Sequence, residues 1–297
     1  MSDATFELSP QLLSDIETLQ LSARTIVSGA LAGTHRSLRR GSSIEFSEHK
    51  LYSPGDDVRH IDWRAFAKTD RYHIKQFEDE TNITLELLID GSASMGFAGP
   101  EREPKLEFAK KLGAALCYLA LRQGDASGVV TFATTVRDEL PARATSAHLV
   151  EVMRLLAQLQ PAGETSLVGA LDQFGQRSRR RSLLVIISDL FDPNPALFDA
   201  FRRLAARRHD IALIHLLDPV EIDFPYENPS TFVSMEDDRR LFIHPRTLRN
   251  AYVKEMREFL TRTSRALREA GIDYREIRTD TDPAQVLGSF LREREAG

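Results

Sequence analysis

The stretch Asn82 to Met95, NITLELLIDGSASM, carries an apolar run that stops abruptly at one carboxylate and two hydroxyls. Ile83, Leu85, Leu87 and Ile89 alternate with Thr84, Glu86 and Leu88, and this near-continuous apolar character predicts a strand buried on both faces. Asp90, Ser92 and Ser94 follow at every second position, with only Gly91 and Ala93 between them, so three oxygen side chains can converge on one point. An all-oxygen set with one charge and no Cys or His suits Mg²⁺ or Mn²⁺ rather than zinc or copper. The plainer alternative is a Ser-rich loop in which Asp90 caps the next helix.

Downstream of this stretch, helical and strand periodicities alternate. Lys105–Gln123 reads as helix, Ser127–Ala133 as strand, and Val136–Pro141 as a third strand, antiparallel because the Thr134-Thr135 link is short. A helix over His148–Gln158 leads to the loop 160–166, which opens a further helix. Ser182–Ser188 is the fourth strand and ends in Asp189. Helix Leu197–Arg208 and strand Ile211–Leu217 follow. Residues 219–245 read as an inserted β-hairpin with strands over 231–234 and 240–243, ahead of helix Thr247–Ala270, strand Ile272–Arg278 and helix Pro283–Glu295. The fold class is therefore α/β: a doubly wound, mostly parallel six-stranded sheet, Rossmann-like, in the order 3-2-1-4-5-6. In that order the first and fourth strands are neighbours, so Asp90 and Asp189 flank one crevice, and Thr165 lies in the loop of the helix preceding the fourth strand.

Asp90-Gly91-Ser92-Ala93-Ser94 resembles the D-x-S-x-S signature of the von Willebrand factor type A fold and its metal-ion-dependent adhesion site. The resemblance implies a Thr from a later loop and an Asp ending the fourth strand, and Thr165 and Asp189 stand at those places. It further implies that Ser92, Ser94 and Thr165 bind Mg²⁺ (or Mn²⁺) directly, that Asp90 and Asp189 hold it directly or through water, and that an acidic residue of a protein partner completes the shell.

Ahead of the sheet, Ser9-Pro10 starts a helix expected to end near Gly29, followed by a basic, glycine-bounded stretch from Gly33 to Gly41. From Ser43 to Glu80 the chain is dense in alternating charge, contains the only tryptophan, Trp63, and reads as short strands joined by turns. Within it Glu45-Phe46, Tyr52-Ser53-Pro54-Gly55-Asp56-Asp57, Arg59, Ile61-Asp62-Trp63-Arg64 and Lys75-Gln76-Phe77-Glu78 resemble the signature of the bacterial "domain of unknown function 58" family. That resemblance implies a von Willebrand A-like domain working with a MoxR-type AAA+ ATPase in chaperone-like protein or complex maturation. The expected division is 1–80 for the helix and signature region, as an N-terminal accessory region, and 81–297 for the sheet domain.

With 297 residues, 42% hydrophobic and 28% charged, the chain is long enough for one large domain plus an accessory piece. A net charge of -5 argues against nucleic acid as the main partner. A lone Cys117 excludes an intrachain disulfide, and no apolar run approaches the roughly 20 residues of a membrane span. A cytoplasmic, non-enzymatic adaptor is the expectation. Ser92-Ala93-Ser94-Met95-Gly96 also approaches a nucleophile elbow, which keeps a serine hydrolase as the alternative, although its His would have to be His244 or the strand residue His215. A metal-free scaffold is the other alternative.

Overall fold

A computed structural model describes residues 10–33, 49–51, 73–75, 83–178, 181–192, 194–237 and 239–296. The chain divides into two compact units, residues 36–82 and the remainder. In the smaller unit β1 (His49–Leu51) pairs antiparallel with β2 (His73–Lys75), His49 opposite Lys75. Trp63 and most of the charged signature lie outside the described residues. Helix α1 (Pro10–Gly33) groups with the larger unit rather than with the signature region, and it runs one turn beyond the expected end at Gly29.

The larger unit is built on β3 (Thr84–Asp90), α2 (Lys105–Arg122), β4 (Ala126–Phe132), β5 (Val136–Arg143), α3 (Ser146–Gln158), α4 (Leu167–Arg177), β6 (Leu183–Ser188), α5 (Leu197–Ala205), β7 (Asp210–Leu217), α6 (Pro219–Asp223), β8 (Ser230–Val233), β9 (Arg240–Ile243), α7 (Pro245–Glu269), β10 (Asp273–Arg278) and α8 (Pro283–Ala296). The sheet order is β10-β7-β6-β3-β4-β5, which is the expected 3-2-1-4-5-6. All its pairs are parallel except β4 with β5. β8 and β9 form a separate antiparallel pair.

Each central strand divides its side chains between two apolar layers. Leu85, Leu87 and Ile89 of β3 join Val185 and Ile187 of β6 beneath α2 and α3, while Leu88, Leu184 and Ile186 meet α4 and α5 on the other face. α2 sits close because Gly113 faces the strand: a Cβ there would stand 2.8 Å from Leu87 Cδ2 and 3.0 Å from Ile89 Cδ1. α1 makes its main contacts with helices. Its Ile16, Leu19, Ala23, Ile26, Val27 and Ala30, at helical spacing, pack as an outer layer on α2, α3 and α8.

The helix starts follow local chemistry. Thr145 caps α3 by accepting from His148 N at 3.2 Å, and Ser166 caps α4 by accepting from Gly169 N at 3.4 Å. α6 was not anticipated, although Asp218-Pro219-Val220-Glu221 is a capping box with proline at the first position. Cys117 is fully buried, and burial pushes its thiol up to about 12. No helix among the described residues is long and apolar enough to cross a membrane.

Candidate functional site

β3 delivers Asp90 to the carboxyl end of the sheet, where Gly91 N donates to Phe132 O at 2.7 Å and holds the loop against β4. Asp90 is fully buried. Its Oδ1 accepts from Ser92 N at 2.9 Å, an Asx turn that sets the serine loop, and its Oδ2 accepts from Ser188 Oγ at 2.6 Å. Ser92 Oγ and Ser94 Oγ lie 3.0 Å apart as the chain enters a 3₁₀ turn over Ala93–Gly96.

The loop before α4 is pinned to this one. Ala93 N donates to Gly163 O at 2.9 Å and Ala162 N to Gly91 O at 3.0 Å. Gly163 has φ +72, a conformation that a residue with a side chain adopts only under strain. Arg137 of β5 fastens both loops, donating through Nη1 to Gly91 O at 3.1 Å and Gln160 O at 3.2 Å, and through Nη2 to Ala162 O. With Ser166 engaged as the cap, the hydroxyl of the buried Thr165 bonds elsewhere. Its Oγ1 donates to Glu236 Oε1 at 3.0 Å, and Glu236 belongs to the turn between β8 and β9.

Asp189, also fully buried, follows Ser188 at the end of β6. Its Oδ2 accepts from Lys105 Nζ at 2.8 Å, and the same ammonium donates to Glu221 Oε1 at 2.6 Å. Lys105 has no exposed surface and lies over the Phe191 and Phe97 rings at 4.9 and 5.8 Å. Burial alone would lower its pKa, but the two carboxylates outweigh it and hold the ammonium above the usual lysine range. Next to Asp189, Leu190 is buried with φ +56, a left-handed conformation that stores about 1–2 kcal/mol of strain at the strand's end.

Burial, and then the neighbouring charge of Asp189, push the Asp90 carboxyl up to about 7. Two carboxylates thus face each other with one ammonium, which a second acid already shares. Among the described residues no group of three or more His, Cys, Asp or Glu side chains is assembled to hold a metal ion. The expected set instead combines two carboxylates with three hydroxyls. It suits a hard cation in one respect that the structure itself supplies: the mutual repulsion of Asp90 and Asp189 is the kind that a bound cation relieves.

Five residues were anticipated here, and Asp90, Ser92, Ser94 and Asp189 meet through two neighbouring strand ends. Thr165 lies two residues beyond Gly163 of the pinned loop, and its hydroxyl donates to Glu236 rather than to any of these four. Lys105, Arg137, Glu221 and Glu236 were missed. Lys105 opens an apolar helix and Glu236 sits in a polar turn, so neither had a local pattern to betray it. His215 is not available to a serine: burial lowers its pKa to about 4, so the ring is neutral. Its Nε2 donates to Asp189 O at 2.9 Å, and its Nδ1 accepts from Tyr274 Oη at 2.7 Å. His244 precedes the first turn of α7. A cleft of about 520 Å³ opens beside the site, lined by Ser94, Phe97, Leu190, Phe191, Glu236 and Phe259 among others.

The family described as "Protein of unknown function DUF58" matches residues 48–262. The uncharacterized protein Rv1480 of Mycobacterium tuberculosis is 30% identical over 293 residues, covering 97% of this chain and 91% of that protein. The uncharacterized protein MAV169 of Mycobacterium avium is 28% identical over 134 residues, 44% of this chain and 77% of that one. Among solved structures, the conserved hypothetical protein BatB from Bacteroides thetaiotaomicron aligns at 13% identity with a TM-score of 0.45, over 72% of this chain and 100% of that one. An aerotolerance-related membrane protein from Bacteroides fragilis aligns at 18% with a TM-score of 0.46, over 71% and 97%.

Proposed function

We propose a function from the premise that the chain belongs to the DUF58 family: it is a protein-interaction adaptor whose crevice holds Mg²⁺ or Mn²⁺ and receives an acidic side chain of a partner. The observation that carries this reading is the pair Asp90 and Asp189, fully buried at the ends of adjacent strands. Hydroxyl-bearing loops are fastened against them. Ser92, Ser94 and Thr165 would offer hydroxyl oxygens to the cation, and Asp90 and Asp189 the charge that holds it. Bound there, the cation supplies an electrophilic contact for a carboxylate. The chain's own residues do the rest: Arg137 fixes the two loops, and Ser188 and Ser92 N orient Asp90. A MoxR-type AAA+ ATPase is the partner this proposal names, in chaperone-like maturation of other proteins.

A second reading is supported by Lys105. Its ammonium already supplies Asp189 with a counter-charge, as a scaffold without metal would require. The two are separated by thermal melts with and without millimolar Mg²⁺ or Mn²⁺. A cation that binds only the folded state at about 100 times its dissociation constant adds roughly 2.7 kcal/mol, a rise of several degrees. The adaptor reading expects that rise in the native protein and its loss in Asp90→Ala, together with ATPase capture that EDTA abolishes. No shift with the cation in either protein would favour the scaffold.

A further inference from the structure

The hairpin between β7 and β10 contributes no strand to the six-stranded sheet, yet its turn reaches the candidate site. Its base is firm: Phe224 stacks on Phe232 at 5.7 Å and packs on Tyr252 of α7 at 4.4 Å, and Tyr226 meets Phe232 edge-on at 4.9 Å. Its tip is closed by Ser234 N donating to Arg239 O at 2.9 Å and by Arg239 N donating to Asp237 Oδ1 at 3.1 Å. Glu236 N and Asp237 N share the Ser234 hydroxyl, each at 3.3 Å.

Within that tip the charges part company. Asp237 pairs with Arg239, whereas Glu236 makes no ion pair among the described residues and reaches across to Thr165. Both Glu236 oxygens rest on Thr165, Oε1 on the hydroxyl at 3.0 Å and Oε2 on the main-chain N at 3.4 Å. The Lys105 ammonium beside Asp90 and Asp189 is already shared between Asp189 and Glu221, so a further carboxylate at this crevice gains by charge when a second cation joins them. The proton of Thr165 is spent on Glu236, which leaves the hydroxyl's lone pairs for a cation. Met235, one residue earlier, reaches toward the serine loop, where a side chain at Gly96 would meet its Cε at 3.5 Å.

We propose that Glu236 is the acidic ligand that the chain supplies to its own site, standing where a partner's carboxylate docks, so that the partner binds by displacing the hairpin tip. This rests on the reading of the site as a metal-dependent carboxylate acceptor. The incoming segment copies the tip it replaces: an Asp or Glu preceded by a long apolar residue, which enters the cleft beside Phe97, Phe191 and Phe259.

The test is Mn²⁺ binding, followed by electron paramagnetic resonance and water-proton relaxation, in the native protein, Glu236→Gln and Asp90→Ala, with acetate as the carboxylate probe. Glu236→Gln keeps the size of a side chain on a turn and leaves the sheet alone. It should raise the Mn²⁺ dissociation constant at least tenfold. It should also raise the relaxation enhancement per bound ion, because water takes the vacated position, and acetate should then quench that enhancement in the variant but not in the native protein. Tight binding with unchanged hydration in Glu236→Gln would overturn the proposal and leave the metal reading standing. A raised dissociation constant with unchanged hydration would also overturn it, assigning Glu236 to Thr165 alone. Absence of Mn²⁺ binding from all three proteins would remove the metal reading and this proposal with it.

Discussion

Glu86 lies on the same strand as Asp90, near its other end, opposite Gly128 of β4, whose missing side chain makes room for the carboxylate. Burial, and then the charge of Glu139, push its carboxyl up from 4.5 to about 7. A raised folded-state value means that the native protein takes up a proton between those limits. The cost of Glu86 is absent below about pH 4.5, grows as the pH rises, and is complete above about pH 7. Glu86→Gln should therefore be more stable than the native protein by about 2–3 kcal/mol at pH 8 and equal to it at pH 4, read from urea melts at both values. At this scale the sequence was informative where chemistry is local. Asp90, Ser92 and Ser94 were legible because their spacing is short and their residue types agree. Lys105, Glu221 and Glu236 were not, since a side chain recruited across the fold leaves no trace among its neighbours in the chain.

At the scale of elements, the periodicities recovered the strands and helices of the sheet to within a few residues, because burial on two faces leaves a strong apolar signal. The short α6 escaped: five residues carry no period, and only the capping chemistry of Asp218 and Glu221 marks it. The approach of α2 to β3 was also invisible, since Gly113 in a helix reads as a mild defect rather than a contact. Gly113→Ala gains about 1 kcal/mol of helix propensity. It also sets a methyl at 2.8 Å from Leu87 and 3.0 Å from Ile89, both fully buried and unable to swing aside. Overpacking of this kind costs about 1–3 kcal/mol, so the variant should be less stable by about 1 kcal/mol in urea. A more stable variant would mean that α2 shifts freely on the sheet.

At the scale of the molecule, the strand order was legible because alternation and one short link leave few topologies, and that order brought Asp90 and Asp189 together. The place of α1 was not legible. An amphipathic helix ahead of a charged region gives no sign of which layer it joins, and it covers α2, α3 and α8. Val27 of α1 has no exposed surface. Val27→Asp should lower the urea midpoint by an amount equivalent to about 3 kcal/mol or more, with the whole larger unit still melting in one transition, because an unpaired charge would enter that shared layer. The contact of α1 with α8 has a bearing on how the protein is made. A side chain at Gly29 would meet Ala284 Cβ at 3.1 Å, and one at Gly288 would meet the main chain of Ala30 at 3.5 Å, so the two helices approach closely where each carries a glycine. On the ribosome, at about 5–20 residues per second, α1 emerges tens of seconds before α8 exists to cover it. For that interval the part of its apolar stripe that α8 covers, though not the part that α2 and α3 cover, is open to holdases and proteases, and nascent chains stalled before Pro283 would be the ones cleared.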